Sequence, residues 1–260
     1  MSTKNNYAES IKHILSENSG FNTIETYKSI RTNIMFSLPK AENGKVIAVT
    51  SAVPGDGKST TSINLAITFA ELGVKVILLD CDLRKSRIHR YLQIERNLGI
   101  TNVLCGFCSF EEAVKRDVRP NLDVLTAGEI PPNPAELFET AEFDNLINKL
   151  KEEYDYILID TPPVKVVTDA VIISKNVSGI VLTVRENQTT YEEIETSLNA
   201  LNAVGAKILG AIVRECDSTR KKYGYSKGGY RRYKYGYGKR GYNYNYNYKD
   251  DTDEETESKD

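Results

Sequence analysis

Residues 51–60 have the composition of a phosphate-binding loop, because they read Ser-Ala-Val-Pro-Gly-Asp-Gly-Lys-Ser-Thr. The two glycines allow the backbone N–H groups to converge on one point, and the start of a following helix adds partial positive charge. An apolar run precedes the segment and a helical pattern follows it, which identifies a P-loop. Lys58 is predicted to reach the β- and γ-phosphates of a nucleotide, and the Ser59 hydroxyl to ligate Mg²⁺. The predicted ATP-binding residues of this loop are Pro54, Gly55, Asp56, Gly57, Lys58, Ser59 and Thr60.

Aspartates end two of the apolar runs that follow. Asp80 and Asp82 come after one run, and Asp160 comes after another. A carboxylate beside a P-loop can hold Mg²⁺ or its waters, so these positions are candidates for that role. The alternative is an aspartate that only terminates a buried strand. The P-loop favours the metal site.

Apolar β-branched runs alternate with helical patterns from residue 45 to residue 213. Continuous apolar runs are typical of strands covered on both faces, and the alternation predicts an α/β fold with a doubly wound, mostly parallel sheet. Ligands of such sheets bind at the carboxyl ends of the strands. The predicted strands are Lys45–Thr50, Lys75–Asp80, Leu122–Thr126, Tyr156–Asp160, Gly179–Val184 and Lys207–Val213. The predicted helices are Ile24–Phe36, Lys58–Leu72, Phe110–Lys115, Pro134–Lys151, Thr168–Lys175 and Tyr191–Ala203.

The chain of 260 residues suits one buried domain with extensions. We expect an N-terminal extension over residues 1–40, a P-loop domain over 41–217 and a disordered tail over 218–260. No apolar run is long enough to span a membrane, and four scattered cysteines do not indicate a disulfide framework. These features favour a cytoplasmic protein.

The tail, residues 218–260, holds ten of the sixteen tyrosines. Nine Lys and Arg residues and no acid lie in Lys221–Lys249, and seven acids follow in Asp250–Asp260. Blocks of this kind are usually solvated, so the tyrosine hydroxyls should be accessible. Tyrosine and arginine could also stack on RNA, but the attached P-loop favours phosphate acceptors and no nucleic-acid partner is expected. The predicted acceptors are Tyr223, Tyr225, Tyr230, Tyr233, Tyr235, Tyr237, Tyr242, Tyr244, Tyr246 and Tyr248.

These motifs together resemble the bacterial tyrosine kinases of capsule and exopolysaccharide synthesis. The resemblance rests on the P-loop, on the Asp-x-Asp-x-Arg sequence at 80–84, on Asp-Thr-Pro-Pro at 160–163 and on the tyrosine cluster. It implies an ATP- and Mg²⁺-dependent tyrosine autokinase of the P-loop NTPase fold. The implied catalytic residues are Lys58, Asp80, Asp82 and Arg84, with Asp82 as the base, and the implied Mg²⁺ ligands are Ser59, Asp80 and Asp160. Arg214 stands where relatives often carry Asn near the adenine, and it could stack on the base.

The resemblance also implies partners. The family carries an early helix that mediates ring assembly, and the matching residues here are Glu25, Lys28, Arg31 and Asn33. Lys28 replaces an arginine, which keeps the charge but loses the bidentate fork. A ring would allow phosphorylation in trans, and a membrane adaptor would recruit the chain to the inner face of the membrane; other protein-tyrosine substrates would be possible.

A nucleotide-switched positioning or partitioning ATPase is the alternative function, and an RNA-binding NTPase is a third. Positioning ATPases share the sheet and the aspartate motifs. They normally carry a signature lysine where this chain has Val53, and they lack a tyrosine tail. Both differences favour the kinase.

Overall fold

The computed structural model describes residues 11–38 and 44–215. The ten tail tyrosines, the predicted disorder of residues 218–260 and the ends of the N-terminal extension lie outside these ranges. The predicted division into residues 1–40, 41–217 and 218–260 therefore stays a prediction. Among the described residues, no helix combines the length and the apolar character that a membrane span requires.

The described chain is a seven-stranded sheet with helices on both faces. The strands are β1 (Lys45–Ser51), β2 (Val76–Asp80), β3 (Lys115–Arg119), β4 (Leu122–Leu125), β5 (Tyr156–Asp160), β6 (Gly179–Arg185) and β7 (Ile208–Arg214). The α-helices are α1 (Phe21–Ser37), α2 (Lys58–Ala70), α3 (Ile88–Tyr91), α4 (Ile100–Leu104), α5 (Phe110–Ala113), α6 (Pro134–Phe138), α7 (Ala141–Glu153), α8 (Asp169–Ile173) and α9 (Tyr191–Ala203). A 3₁₀ turn, Ser174–Asn176, extends α8.

The strand order is β3-β4-β2-β5-β1-β6-β7. All pairings are parallel except β3 with β4. Parallel pairing brings the carboxyl ends of β1, β2 and β5 to one edge of the sheet, where the P-loop and the aspartates follow. The prediction of a doubly wound, mostly parallel sheet is confirmed.

The core lies on both faces of the sheet because successive residues of a strand point to opposite sides. In β1, Val46 and Ala48 face α7, α8 and α9, whereas Ile47 and Val49 face α1 and α2. Every residue of α2 is buried. The helix that follows the P-loop is therefore fixed by packing along its whole length.

In two places the structure divides a predicted helix into separate elements. The helix predicted over Pro134–Lys151 is two helices, because the Thr140 hydroxyl accepts a hydrogen bond from the Phe143 N–H and starts α7 anew. The helix predicted over Phe110–Lys115 ends at Ala113, and Lys115 begins β3. β3 reads Lys-Arg-Asp-Val-Arg, an edge strand without the apolar run that predicts a buried one.

Helix α1 begins and ends close to its predicted bounds and packs on α2. Tyr27 and Ile34 are buried against the domain. Phe21 and Phe36 lie on the outside, with 76% and 86% of their surface exposed. The helix therefore has one stripe facing the domain and two phenylalanines facing away from it.

Candidate active site

The P-loop joins β1 to α2 at the carboxyl edge of the sheet. Gly55 and Gly57 have φ angles of +98° and +80°, which a side chain would strain, and Gly57 is the residue before α2 begins. The loop borders a cavity of about 310 Å³. Gly55, Gly57, Lys58, Ser59 and Thr60 all line it. Five of the predicted ATP-binding residues of the loop thus line one cavity at a helix N-terminus, whereas Pro54 and Asp56 are not in its lining.

The predicted metal and base residues meet beside this loop. Asp80 and Asp160 end neighbouring strands and are direct partners in the β2–β5 register. Both are fully buried, and Asp82 is 3% exposed. Three carboxylates therefore share a site from which water is excluded.

Lys58 is the cation at the centre of this cluster. Its ammonium lies 2.5 Å from Asp82 Oδ2, and the other Asp82 oxygen accepts the Lys85 N–H at 2.9 Å. Burial lowers the pKa of Lys58, but the fields of Asp160, Asp82 and Asp80 outweigh that effect and raise the pKa above its usual value. The side chain therefore stays protonated at physiological pH.

Two carboxylate oxygens in the cluster are left unpaired. Asp160 Oδ1 accepts the Ser62 hydroxyl at 3.0 Å; burial raises the pKa of Asp160, and the nearby Lys58 charge and Ser59 hydroxyl lower it in part. Asp160 Oδ2 and Asp80 Oδ1 are buried and lack a hydrogen-bond partner among the described residues. An unpaired buried carboxylate oxygen is costly. A divalent cation next to the Ser59 hydroxyl would satisfy both.

The Asp80 carboxyl makes a pH-dependent contribution to the free energy of unfolding. Burial and the neighbouring Asp160 charge raise the pKa of Asp80 to about 7. An aspartate with a raised pKa in the folded state holds a proton that the unfolded chain has lost. Asp80 therefore lowers the free energy of unfolding of the nucleotide-free protein as pH rises from about 4 to about 7, whereas His89, whose pKa burial lowers to about 4, contributes the opposite slope. The Asp80 contribution is the difference between wild type and Asp80→Asn. Lys58 adds no slope in that window, because its raised pKa lies far above it.

The melting temperature of Asp80→Asn should rise relative to that of wild type as pH increases from 5 to 8. Thermal unfolding between pH 5 and pH 8 tests it, with the exposed Asp117→Asn on β3 as the matched control. A difference in melting temperature between Asp80→Asn and wild type that is the same at pH 5 and at pH 8 would contradict the expectation.

The predicted catalytic Arg84 is engaged outside the cluster. Its Nε and Nη2 donate to the two oxygens of Asp169, each at 3.2 Å. The Asp169 side chain is fully buried and that of Arg84 is 40% exposed. The catalytic role of Arg84 stays a prediction, and Asp169, which sequence reasoning missed, holds its guanidinium.

Asp56 contributes to the loop in a way that the sequence did not reveal. Its side chain is buried and accepts the Thr189 hydroxyl at 2.6 Å. Gln188 Nε2 donates to the Pro54 carbonyl at 3.3 Å. Burial raises the pKa of Asp56. The β6–α9 connection therefore fastens the P-loop from outside, a contact that only the tertiary fold creates.

Arg214 lies at the lip of the same cavity. Its guanidinium is so close to Gly57 that a methyl group there would overlap it. This placement supports the predicted contact with a nucleotide. It puts the positive charge on the phosphate side of the loop, and the base-stacking role stays a prediction.

The predicted assembly residues lie on α1 and also make contacts within the chain. Lys28 pairs with Glu25 at 2.9 Å on the helix surface. Arg31 Nη1 donates to the Thr68 carbonyl of α2 at 2.5 Å, while its buried Nε has no partner among residues 11–38 and 44–215. Asn33 is exposed. Their role in assembly stays a prediction.

The segment before α1 is also tied to α2. The buried Asn64 side chain donates to the His13 carbonyl and accepts the Leu15 N–H, each at 2.8 Å. Sequence reasoning did not single out Asn64, because an asparagine inside a helical pattern carries no local signal for a distant backbone partner.

Comparisons with known proteins agree with this geometry. A family model described as an AAA domain matches residues 44–209. The chain is 42% identical over 202 residues to tyrosine-protein kinase YwqD of Bacillus subtilis, covering 77% of this chain and 85% of the relative. The chain belongs to the bacterial tyrosine-protein kinases. It is a protein-tyrosine kinase.

Solved structures separate this kinase from the alternative function. The kinase domain of the Escherichia coli tyrosine kinase ETK matches with a TM-score of 0.71 and 28% identity, over 80% of each chain. The septum site-determining protein MinD of Pyrococcus horikoshii, complexed with Mg-ADP, matches with a TM-score of 0.57 and 25% identity, over 65% of this chain and 70% of MinD. The kinase therefore has a fold similar to that of MinD, but its structure is more similar to the ETK kinase domain.

Proposed function

We propose that this kinase uses ATP and Mg²⁺ to phosphorylate its own tail, residues 218–260, in trans within an oligomer. The observation that supports the proposal best is the buried Lys58–Asp82 pair beside the P-loop. It places a phosphate-binding cation against a carboxylate that can act as a base. In this role the kinase would regulate capsular or exopolysaccharide synthesis.

The residues present fit magnesium and nucleotide. Mg²⁺ is usually bound by one or two carboxylates together with phosphate oxygens and water. Asp80 and Asp160 offer two buried unpaired oxygens, and Ser59 offers a hydroxyl. When bound, MgATP supplies the transferable phosphoryl group and neutralises its developing charge. Lys58, the P-loop N–H groups and Arg214 would hold the phosphates.

Lys58 and Asp82 would exchange partners during the reaction. As a phosphate ligand, the Lys58 ammonium must leave Asp82 Oδ2, while the Lys85 N–H keeps the other oxygen in place. The freed oxygen can accept the proton of a tyrosine hydroxyl. The phenol oxygen then bonds to the γ-phosphorus as the bond to the bridging oxygen breaks, and ADP leaves.

An experiment that mixes two variants tests both whether the tail tyrosines accept the phosphate and whether transfer takes place between chains. One partner is Lys58→Met with an intact tail, and the other is an active chain in which all ten tail tyrosines are Phe. We expect phosphotyrosine on the Lys58→Met chain only after mixing with ATP and Mg²⁺. Mass spectrometry assigns the modified residues, and each chain alone is the control.

An unmodified Lys58→Met tail beside a labelled wild-type tail would contradict transfer between chains. A wild-type tail without phosphotyrosine would contradict the acceptor assignment itself. We infer that a membrane adaptor activates the kinase, so a candidate adaptor peptide belongs in every mixture. Recruitment by such an adaptor to the inner face of the membrane is part of the proposal.

Phosphorylation is expected to weaken the oligomer. Each phosphate adds about −1.5 to −2 charges, and the tail segment Lys221–Lys249 carries nine Lys and Arg residues. Modification of most of its tyrosines would reverse its sign and make neighbouring tails repel one another. Mass photometry before and after autophosphorylation measures this, with the variant lacking tail tyrosines as control. An equal size distribution in both states would refute it.

A further inference from the structure

Two side chains that are not among the predicted active-site residues form a hydrogen-bonded chain to the Asp80 carboxylate. Ser86 donates from Oγ to Asp80 Oδ2 at 2.7 Å. His89 Nδ1 lies 3.1 Å from the same Ser86 oxygen. Ser86 is 9% exposed and His89 is half-buried. The three groups form a chain from the end of β2 to the short helix α3.

The direction of this chain follows from its protons. Ser86 has one hydroxyl proton, which it gives to Asp80, so its oxygen accepts from His89 Nδ1. His89 must then carry a proton on Nδ1. Burial, with the charges of Arg96 and Arg90, lowers the pKa of His89 to about 4, so the ring is neutral at physiological pH.

The chain restrains one carboxylate oxygen and leaves the other available. With Oδ2 bonded to Ser86, the Asp80 carboxylate cannot rotate freely. Its Oδ1 is buried and has no partner within the part of the chain that the structure describes. The β2–β5 register sets it beside Asp160, whose Oδ2 is unpaired in the same way.

We propose that Ser86 and His89 are positioning residues that fix the Asp80 carboxylate so that its Oδ1 binds the divalent cation. The inference rests on the proposed function, because it needs a cation at Asp80. Removing a hydrogen bond to a metal-binding side chain typically lowers metal affinity or activity by about 10–100-fold. Neither residue touches the nucleotide or the tyrosine in this role.

Binding of Mn²⁺ by the full chain in saturating ADP, followed by electron paramagnetic resonance, tests the inference without turnover. Ser86→Ala and His89→Ala should bind Mn²⁺ about ten-fold or more weakly than wild type. His89→Asn should stay close to wild type, because its amide N–H can take the place of Nδ1–H. Affinity for ADP in EDTA should be unchanged in all three. Ser197→Ala, a buried serine on α9 that bonds the Glu193 carbonyl, is the matched control.

Equal Mn²⁺ affinity in wild type, Ser86→Ala and His89→Ala would overturn the inference and leave the proposed function intact. A loss in His89→Asn as large as in His89→Ala would also overturn it, because packing would then explain the effect. A wild-type chain that binds no Mn²⁺ with ADP would instead remove the metal site and the proposed function with it. If Ser86→Ala does not fold, the His89 pair decides the question.

Discussion

Lys58→Met should reduce phosphotyrosine on the tail to background and also destabilise the folded chain. The first effect follows from loss of the phosphate-binding ammonium. The second follows from burial, because Asp80, Asp82 and Asp160 would remain in the interior without their cation. Removing one partner of a buried ion pair typically costs about 3–5 kcal/mol. Radiolabelled ATP and urea unfolding measure the two effects.

Lys207→Met is the matched control, because Lys207 is an exposed lysine just before β7. It should leave both labelling and the free energy of unfolding close to wild type. Lys58→Met protein as stable as wild type would contradict the account of the buried cluster. Persistent labelling of Lys58→Met protein would contradict the role of the P-loop lysine.

Asp82→Asn should slow tyrosine phosphorylation about 10²–10⁴-fold, the usual contribution of a general base. The amide keeps the shape of the carboxylate but cannot accept the phenol proton. Affinity for ADP should change little, because Asp82 contacts Lys58 and Lys85 and is not a P-loop residue. The loss of stability should be smaller than in Lys58→Met, since Lys58 keeps the fields of Asp160 and Asp80.

Single-turnover labelling under saturating ATP measures this rate, and isothermal titration with ADP measures binding. Asp117→Asn, which replaces an exposed aspartate on β3, serves as the control. Labelling of Asp82→Asn within ten-fold of wild type would remove Asp82 as the base. Asp80 would then be the remaining carboxylate of the Asp-x-Asp sequence to examine.

The central sheet was predictable because its strands are buried on both faces. β5 has the predicted bounds, and β1, β2, β4, β6 and β7 differ from prediction by one or two residues. Runs such as Val-Ile-Leu-Leu-Asp have few alternatives to a parallel strand. The P-loop was equally clear, since its glycines, lysine and serine occupy fixed positions between a strand and a helix.

The edge strand β3 and the break at Thr140 were not predictable in the same way. Lys115–Arg119 is charged, and the pairing with β4 is reinforced by a tertiary network. Arg116 donates to Asp123 at 2.8 Å, and the Tyr154 hydroxyl donates to the same carboxylate at 2.7 Å. Burial and this hydrogen bond raise the pKa of Tyr154. No local sequence pattern predicts contacts between residues that are this far apart in the chain.

The candidate site was predicted as a set of residues but not as a set of contacts. Spacing identified Lys58, Asp80, Asp82 and Asp160. It could not show that Lys58 pairs with Asp82, because that bond depends on how α2 packs beside β2. The partners Asp169, Thr189, Ser86 and His89 carry ordinary sequence contexts, and only the fold brings them to the site.

Helix α2 follows the phosphate loop directly, and its middle and second half contact α1 and the segment before it. Asn64 bonds the segment before α1, and the Thr68 carbonyl accepts a hydrogen bond from Arg31. Lys58 is the first residue of the same helix. Thermodynamic linkage between two binding events is reciprocal. A subunit contact through α1 that tightens nucleotide binding by a given factor must itself be tightened by nucleotide to the same degree. Cellular ATP/ADP balance would then set how many copies of the chain stand together.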